Sequence, residues 1–119
     1  MPPPSQLAIA TGSVNRLLKE EASYHKELEQ EEAQVKALKD KIDSGAGDDD
    51  GNAPFMLKQQ QTALEQTKGV FEPLRQKIAV AIEKLEEQLA ASEQLNAPEE
   101  QVQQAKETLA KAKATQTDA

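Results

Sequence analysis

The sequence of 119 residues contains no cysteine and no tryptophan, and its aromatic residues are limited to Tyr24, Phe55 and Phe71. The lack of cysteine excludes disulfide scaffolds, thiolate metal sites and thiol catalysis. A globular α/β enzyme of this length is normally richer in aromatic residues and glycine. Residue usage that favours Ala, Glu, Gln, Leu and Lys is typical of long helices with a narrow core.

Long apolar runs and an excess of basic charge are also missing. No apolar run approaches the roughly 20 residues that a membrane-spanning helix needs, and the first residues show no signal-peptide pattern. The sequence has 14 basic and 21 acidic side chains, a formal net charge of −7. Phosphate binding requires clustered lysine and arginine, so nucleic acid is not expected as a partner. We expect a cytoplasmic protein that binds neither membranes nor nucleic acid.

A regular apolar pattern from Leu7 to Ile42 predicts one long amphipathic helix over about residues 5–43. The pattern resembles the a and d positions of a coiled coil, broken only by two glutamates. Leu18 and His25 lie one step past the d positions and widen the stripe, as a helix bundle requires. The predicted seam contains Leu7, Val14, Glu21, Leu28, Val35 and Ile42 at a, and Ala10, Leu17, Tyr24, Glu31 and Leu38 at d.

The start of this helix carries two local signals. Ser5 follows three prolines and is predicted to cap the helix. Gly12 inside the pattern indicates a frayed start with the firm helix beginning near Thr11 or Ser13, a glycine that the helix simply tolerates, or a close approach by a partner backbone.

A second long helix is predicted over residues 53–92, with Asn52 as its cap and Pro54 in its first turn. Pro73 lies within its apolar series and should crowd the carbonyl of Gly69. Since that series passes through in register, we predict a kink near residues 69–73 and not a break. The series contains Leu57, Leu64, Phe71, Ile78, Leu85 and Ser92, flanked by Leu74, Ala81, Ile82 and Leu89.

A third, shorter helix is predicted over residues 97–113, because Asn96 and Glu99 have the spacing of a capping box. Residues 114–119 are expected to be disordered. Its apolar face is small and consists of Val102, Ala105, Leu109 and Ala112.

The glycine- and aspartate-rich stretch over residues 44–52 predicts a solvated acidic connector. Asp48, Asp50 and Gly51 can also be matched to a calcium-binding loop. That alternative places Ala46 and Leu57 where carboxylates or their equivalents are required, so the acidic connector is favoured.

These elements predict an all-α protein with a single domain over residues 1–119. We expect an elongated up-down-up three-helix bundle with coiled-coil-like packing, two long helices and a shorter third, kinked near Pro73. The short third helix should leave part of the apolar seam thinly covered, which favours binding of another chain.

No residue pattern supports catalysis. His25 is the one histidine, and it has no second histidine or cysteine with which to form a metal pair or a nucleophile–base pair. A boundary histidine is the favoured interpretation, and a functional one is the alternative. No phosphate-binding glycine motif is present, so no nucleotide or other cofactor is expected. The polar helix surfaces suit protein recognition, although composition alone favours plain solvent-facing exteriors.

The pattern Thr11-Gly12-x-Val14-x-Arg16-Leu17-x-Lys19-Glu20-x-x-x-Tyr24-x-Lys26-Glu27 resembles the tubulin-binding cofactor A family of small helical chaperones. Lys58-Gln59-Gln60 at the start of the second helix and Pro73 near its centre also resemble that family. The resemblance covers about residues 5–113 and is strongest in the first helix.

The resemblance implies a tubulin-folding chaperone that captures and stabilises β-tubulin in the pathway of tubulin heterodimer assembly, without nucleotide hydrolysis or a cofactor. It also implies a cytoplasmic, cytoskeleton-associated protein that works alongside other tubulin-folding cofactors. The candidate β-tubulin-binding residues are Arg16, Lys19, Glu20, Lys26, Glu27, Lys58 and Gln59.

Two other functions compete with this one. A helical adaptor or scaffold could use the seam for self-association, because an a/d seam serves packing within and between chains equally well, and a homodimer is compatible with either function. An enzyme that depends on His25 is the third hypothesis, and the absence of catalytic patterns argues against it.

Overall fold

The computed structural model describes residues 5–45 and 51–117, and its regular elements are all helices. The helices are α1 (Gln6–Asp43), α2 (Asn52–Lys68), α3 (Phe71–Gln94) and α4 (Glu99–Thr117). The predicted all-α class is confirmed. The chain forms two compact units, one of Met1–Glu21 with Pro73–Ala119, and the other of Ala22–Glu72.

The start of α1 follows the predicted cap. The Ser5 hydroxyl accepts the Ala8 N–H at 3.0 Å, and the Ser5 carbonyl accepts the Ile9 N–H at 3.0 Å. A helix that begins at Gln6 places Gly12 in its interior, so the frayed start near Thr11 or Ser13 is wrong. A methyl group added at Gly12 would meet no described atom within 4 Å, so none of the other described backbone segments approaches it closely.

The predicted second helix consists of two helices. α2 ends at Lys68, α3 begins at Phe71, and the continuous kinked helix is therefore wrong. The Val70 N–H bonds to the Thr67 carbonyl, three residues back, which tightens the last turn. Pro73 is the third residue of α3, where the missing N–H has no helical partner to lose. The chain therefore places the proline in a first turn and not in a helix interior.

Two further helix ends differ from the prediction. Asn96 has a positive φ of 52°, and the Ala97 N–H bonds to the Ser92 carbonyl at 3.2 Å. This six-residue closure is the Schellman pattern, so Asn96 ends α3, and the predicted capping box on α4 is wrong. α4 continues to Thr117, so the predicted end at 113 is wrong and its residues 114–117 are helical. Residues 118 and 119 lie outside the described residues.

α2 begins one residue before the predicted start, because Gly51 and not Asn52 occupies the cap position, with φ 77°. A side chain is disfavoured in this left-handed conformation, and glycine adopts it freely. Pro54 lies in the first turn, as predicted. The calcium-loop alternative depends on Ala46, Asp48 and Asp50, which lie outside the described residues.

In the first unit, α1 packs with α3 and α4 around a core that includes Val14, Ile78 and Leu85, each fully buried. Ser5 donates to Gln101 at 2.7 Å, and Asn15 donates to Thr108 at 3.2 Å, so α1 and α4 run in the same direction here. The predicted a/d seam of α1 is confirmed in part, since none of its residues is exposed. In the first unit the most buried stripe is shifted toward the e side, where Leu18 widens it as predicted. It combines the a positions with the e positions, and the d residues Ala10 and Leu17 are half-buried. The stripe contains Leu7, Thr11, Val14, Leu18 and Glu21.

The second unit is an antiparallel hairpin of α1 and α2. Val35, Leu64 and Thr67 are its buried residues, and the Thr67 hydroxyl donates to the Glu31 carboxylate. The ring of Phe71 lies 4.5 Å from that of His25 and 6.4 Å from that of Tyr24. The up-down-up course in a single domain, predicted for the whole chain, stays a prediction.

Candidate protein-binding site

The seven candidate β-tubulin-binding residues are all exposed. In the first unit these are Arg16, Lys19 and Glu20. Successive helix residues are about 100° apart, so these three lie on the side of α1 opposite the buried Val14 and Leu18. The structure thus places them together on the outward face of one helix.

The other four candidates belong to the second unit. Lys26 and Glu27 lie on α1 near the level of Phe71, while Lys58 and Gln59 lie on α2. α2 runs antiparallel to α1, and Lys58 is about 13 Å along the helix axis from Thr67. The pair on α2 is therefore not brought together with the pair on α1.

None of the seven candidate side chains makes an ion pair or hydrogen bond with another residue in the described ranges. Such exposed side chains are available to another protein without the loss of a described internal contact. A screened surface charge contributes little to the stability of the chain itself, so these residues can change without unfolding it.

A surface whose position the sequence does not predict lies between α1 and α3 in the first unit, and its lining includes Ala10 and Leu17 of the predicted seam. It is a groove of about 640 Å³. Ile9 is 44% exposed and Val80 is 51% exposed, and they face solvent as large apolar side chains of this groove. Both residues lie outside the predicted seam. A large apolar residue outside the seam is the one feature of the sequence that indicates an apolar surface here. The groove is lined by Gln6, Ile9, Ala10, Ser13, Leu17, Lys77, Val80, Ala81, Lys84, Glu87 and Gln88.

The described residues show no group of three or more histidine, aspartate and glutamate side chains that could hold a metal ion. Within the same ranges, no helix has the length and apolar character needed to cross a membrane. The described residues present two surfaces, the charged outward face of α1 and the apolar groove between α1 and α3.

Comparison with known proteins decides the family. A sequence model described as Tubulin binding cofactor A matches residues 2–109. The chain belongs to the tubulin binding cofactor A family. This confirms the resemblance found in the helix-one motif and in the start of the second predicted helix.

Two curated members of the cofactor A family align over most of their length. Tubulin-specific chaperone A from Saccharomyces cerevisiae is 37% identical over 84 residues, 71% of this chain and 72% of the relative. Tubulin-folding cofactor A from Arabidopsis thaliana is 31% identical over 105 residues, 87% of this chain and 85% of the relative.

The fold of a family member is also similar. The crystal structure of tubulin folding cofactor A from Arabidopsis thaliana matches with a TM-score of 0.71 at 30% identity. The match covers 91% of this chain and 92% of that chain. Family membership therefore supports a role for this chain as a tubulin-folding chaperone, with tubulin as its partner.

Proposed function

We propose that this chain captures and stabilises β-tubulin during heterodimer assembly, by binding and without catalysis. Membership of the tubulin binding cofactor A family carries this proposal. The exposed charges on α1, which pair with no other residue in the part of the chain that the structure describes, support it, because they can contact a partner without the loss of a described internal contact.

The proposed contact begins with Arg16, Lys19 and Glu20 on the outward face of α1. Lys26, Glu27, Lys58 and Gln59 are further candidates on the other unit. The chain carries a net charge of −7, so a second acidic protein is repelled at long range, and attraction must come from local basic patches. Exposed charge pairs of this kind are screened by salt, so binding should weaken as ionic strength rises.

The proposal places the chain in the cytoplasm, in association with the cytoskeleton, where other tubulin-folding cofactors would be further partners. A homodimer is compatible with this function. The competing function, a self-associating helical scaffold, differs in requiring no tubulin.

Size-exclusion chromatography with light scattering tests the proposal. The chain is mixed with β-tubulin released from the heterodimer and, separately, with α-tubulin. A stoichiometric complex with β-tubulin and none with α-tubulin is the expected result. Absence of a β-tubulin complex, with the chain alone forming a concentration-dependent dimer, would favour the scaffold. Equal binding of both tubulins would overturn the specificity that is proposed.

A further inference from the structure

The groove between α1 and α3 is the face of the first unit that α4 leaves open. α4 is held elsewhere, by Asn15 of α1 at 3.2 Å and by an ion pair of 3.0 Å between Lys113 and Glu86 of α3. The groove side is apolar at its centre, where Leu17 and Ala81 form part of the lining beside the exposed Ile9 and Val80. These apolar surfaces remain in water in the isolated chain.

The dimensions of the groove suit a helix. Its α1 wall runs from Gln6 to Leu17 and its α3 wall from Lys77 to Gln88, each about 17 Å long, or about three helical turns. Ala10, Ser13 and Ala81 have small side chains and allow a close approach by a partner backbone. Neither wall offers a strand edge, so an occupant must satisfy its own backbone hydrogen bonds, as a helix does.

The charge of the groove points to the chemistry of the occupant. Lys77 and Lys84 line the α3 wall two turns apart, and Glu87 is the one acidic residue of the lining. Both lysines are exposed, and neither makes an ion pair with a described residue. The groove is thus locally basic in a chain whose net charge is −7. Carboxylates of a partner at the same two-turn spacing would meet both ammonium groups.

We propose that this groove binds an amphipathic helix of another protein, with an apolar stripe flanked by carboxylates two turns apart. A second copy of the chain fits less well, because groove-to-groove docking would bring another two lysines to the same seam. The proposal does not rest on tubulin binding, although Ile9 of the groove lies seven residues before Arg16 and therefore on the same side of α1.

The experiment uses the full chain and two synthetic helical peptides of about 16 residues. Both peptides carry leucines spaced three and four residues apart. One has glutamates on the flanks at two-turn spacing, and the other has lysines at the same positions. Affinity is measured by fluorescence anisotropy, and the contact is mapped by amide chemical shifts.

The glutamate peptide should bind about tenfold more tightly than the lysine peptide, with shifts centred on the groove lining. The variant Lys77→Glu/Lys84→Glu should reverse this preference. Lys106→Glu/Lys111→Glu makes the same change of charge at two exposed lysines of α4 and should leave the preference for the glutamate peptide intact. Val80→Gln should weaken binding of both peptides, because it removes exposed apolar area from the groove.

Three results would overturn the proposal. One is that neither peptide binds. Another is binding that is unchanged in Lys77→Glu/Lys84→Glu or that maps to α4. A third is a concentration-dependent dimer that Val80→Gln disrupts while the peptides do not bind, which would assign the groove to a second copy.

Discussion

At the scale of single residues, backbone conformation separates positions that look alike in the sequence. Gly12 and Gly45 are both glycines of the α1 region, yet Gly12 is helical and Gly45 has φ +74°. Only the second position uses the conformational freedom that glycine provides.

Gly12→Ala should stabilise the chain by about 1 kcal/mol, because alanine is the better helix former and its methyl group meets nothing within 4 Å. Gly45→Ala should instead destabilise it by about 1 kcal/mol, since its positive φ is strained for an L-residue. Urea unfolding followed by circular dichroism measures both. A destabilised Gly12→Ala would contradict the open surroundings of this position.

Asn96 provides a second contrast at this scale. Asn96→Ala should cost about 1 kcal/mol, because alanine must adopt the left-handed conformation that ends α3. Asn96→Gly should cost nothing or stabilise slightly, since glycine is the preferred residue there. Equal losses in the two variants would contradict the left-handed conformation as the cause and would assign the stabilisation to contacts of the asparagine side chain.

At the scale of elements, helical segments are predictable from the sequence, while several helix ends and the interruption between α2 and α3 are not. The cap at Ser5 is predicted correctly, because a serine that follows prolines and precedes an apolar pattern has one evident role, that of a helix N-cap. Asparagine is favoured both before a helix and after one, so Asn96 could not be assigned without the path of the chain. Pro73 presents the same difficulty. A proline within an uninterrupted apolar series is compatible with a kink inside one helix and with the first turn of a new helix.

Pro73→Ala tests which of these two positions the proline occupies. A helix-interior proline costs about 3 kcal/mol relative to alanine, so its removal would stabilise the chain by a similar amount. In the first turn of α3 the missing N–H has no helical partner, and the expected change is below about 1 kcal/mol. Chemical unfolding gives the difference, with Gly69→Ala as a control for added helix propensity at a position with φ −68°. A stabilisation near 3 kcal/mol by Pro73→Ala would contradict the first-turn position and favour the single continuous helix.

At the scale of the whole molecule, the function is inferred from family membership and from the exposed surface. The helix-one motif was sufficient to recognise the family, because its residues follow one another along a single helix. The groove was not predictable in the same way. It requires the packing of α1 against α3 to bring Ile9 and Val80 into the lining of one groove, and periodicity within one helix carries no such information.

The affinity of the chain for β-tubulin, measured for wild type and two variants, tests the central claim most directly. Arg16→Glu/Lys19→Glu reverses two charges on the outward face of α1, and Lys106→Glu/Lys111→Glu reverses two exposed charges on α4. Both variants change the net charge equally. We predict about tenfold weaker binding for the α1 variant alone, and affinity of the wild type that falls as salt is added. Equal losses in both variants would assign the effect to net charge, and unchanged affinity in both would exclude this face of α1 from the contact.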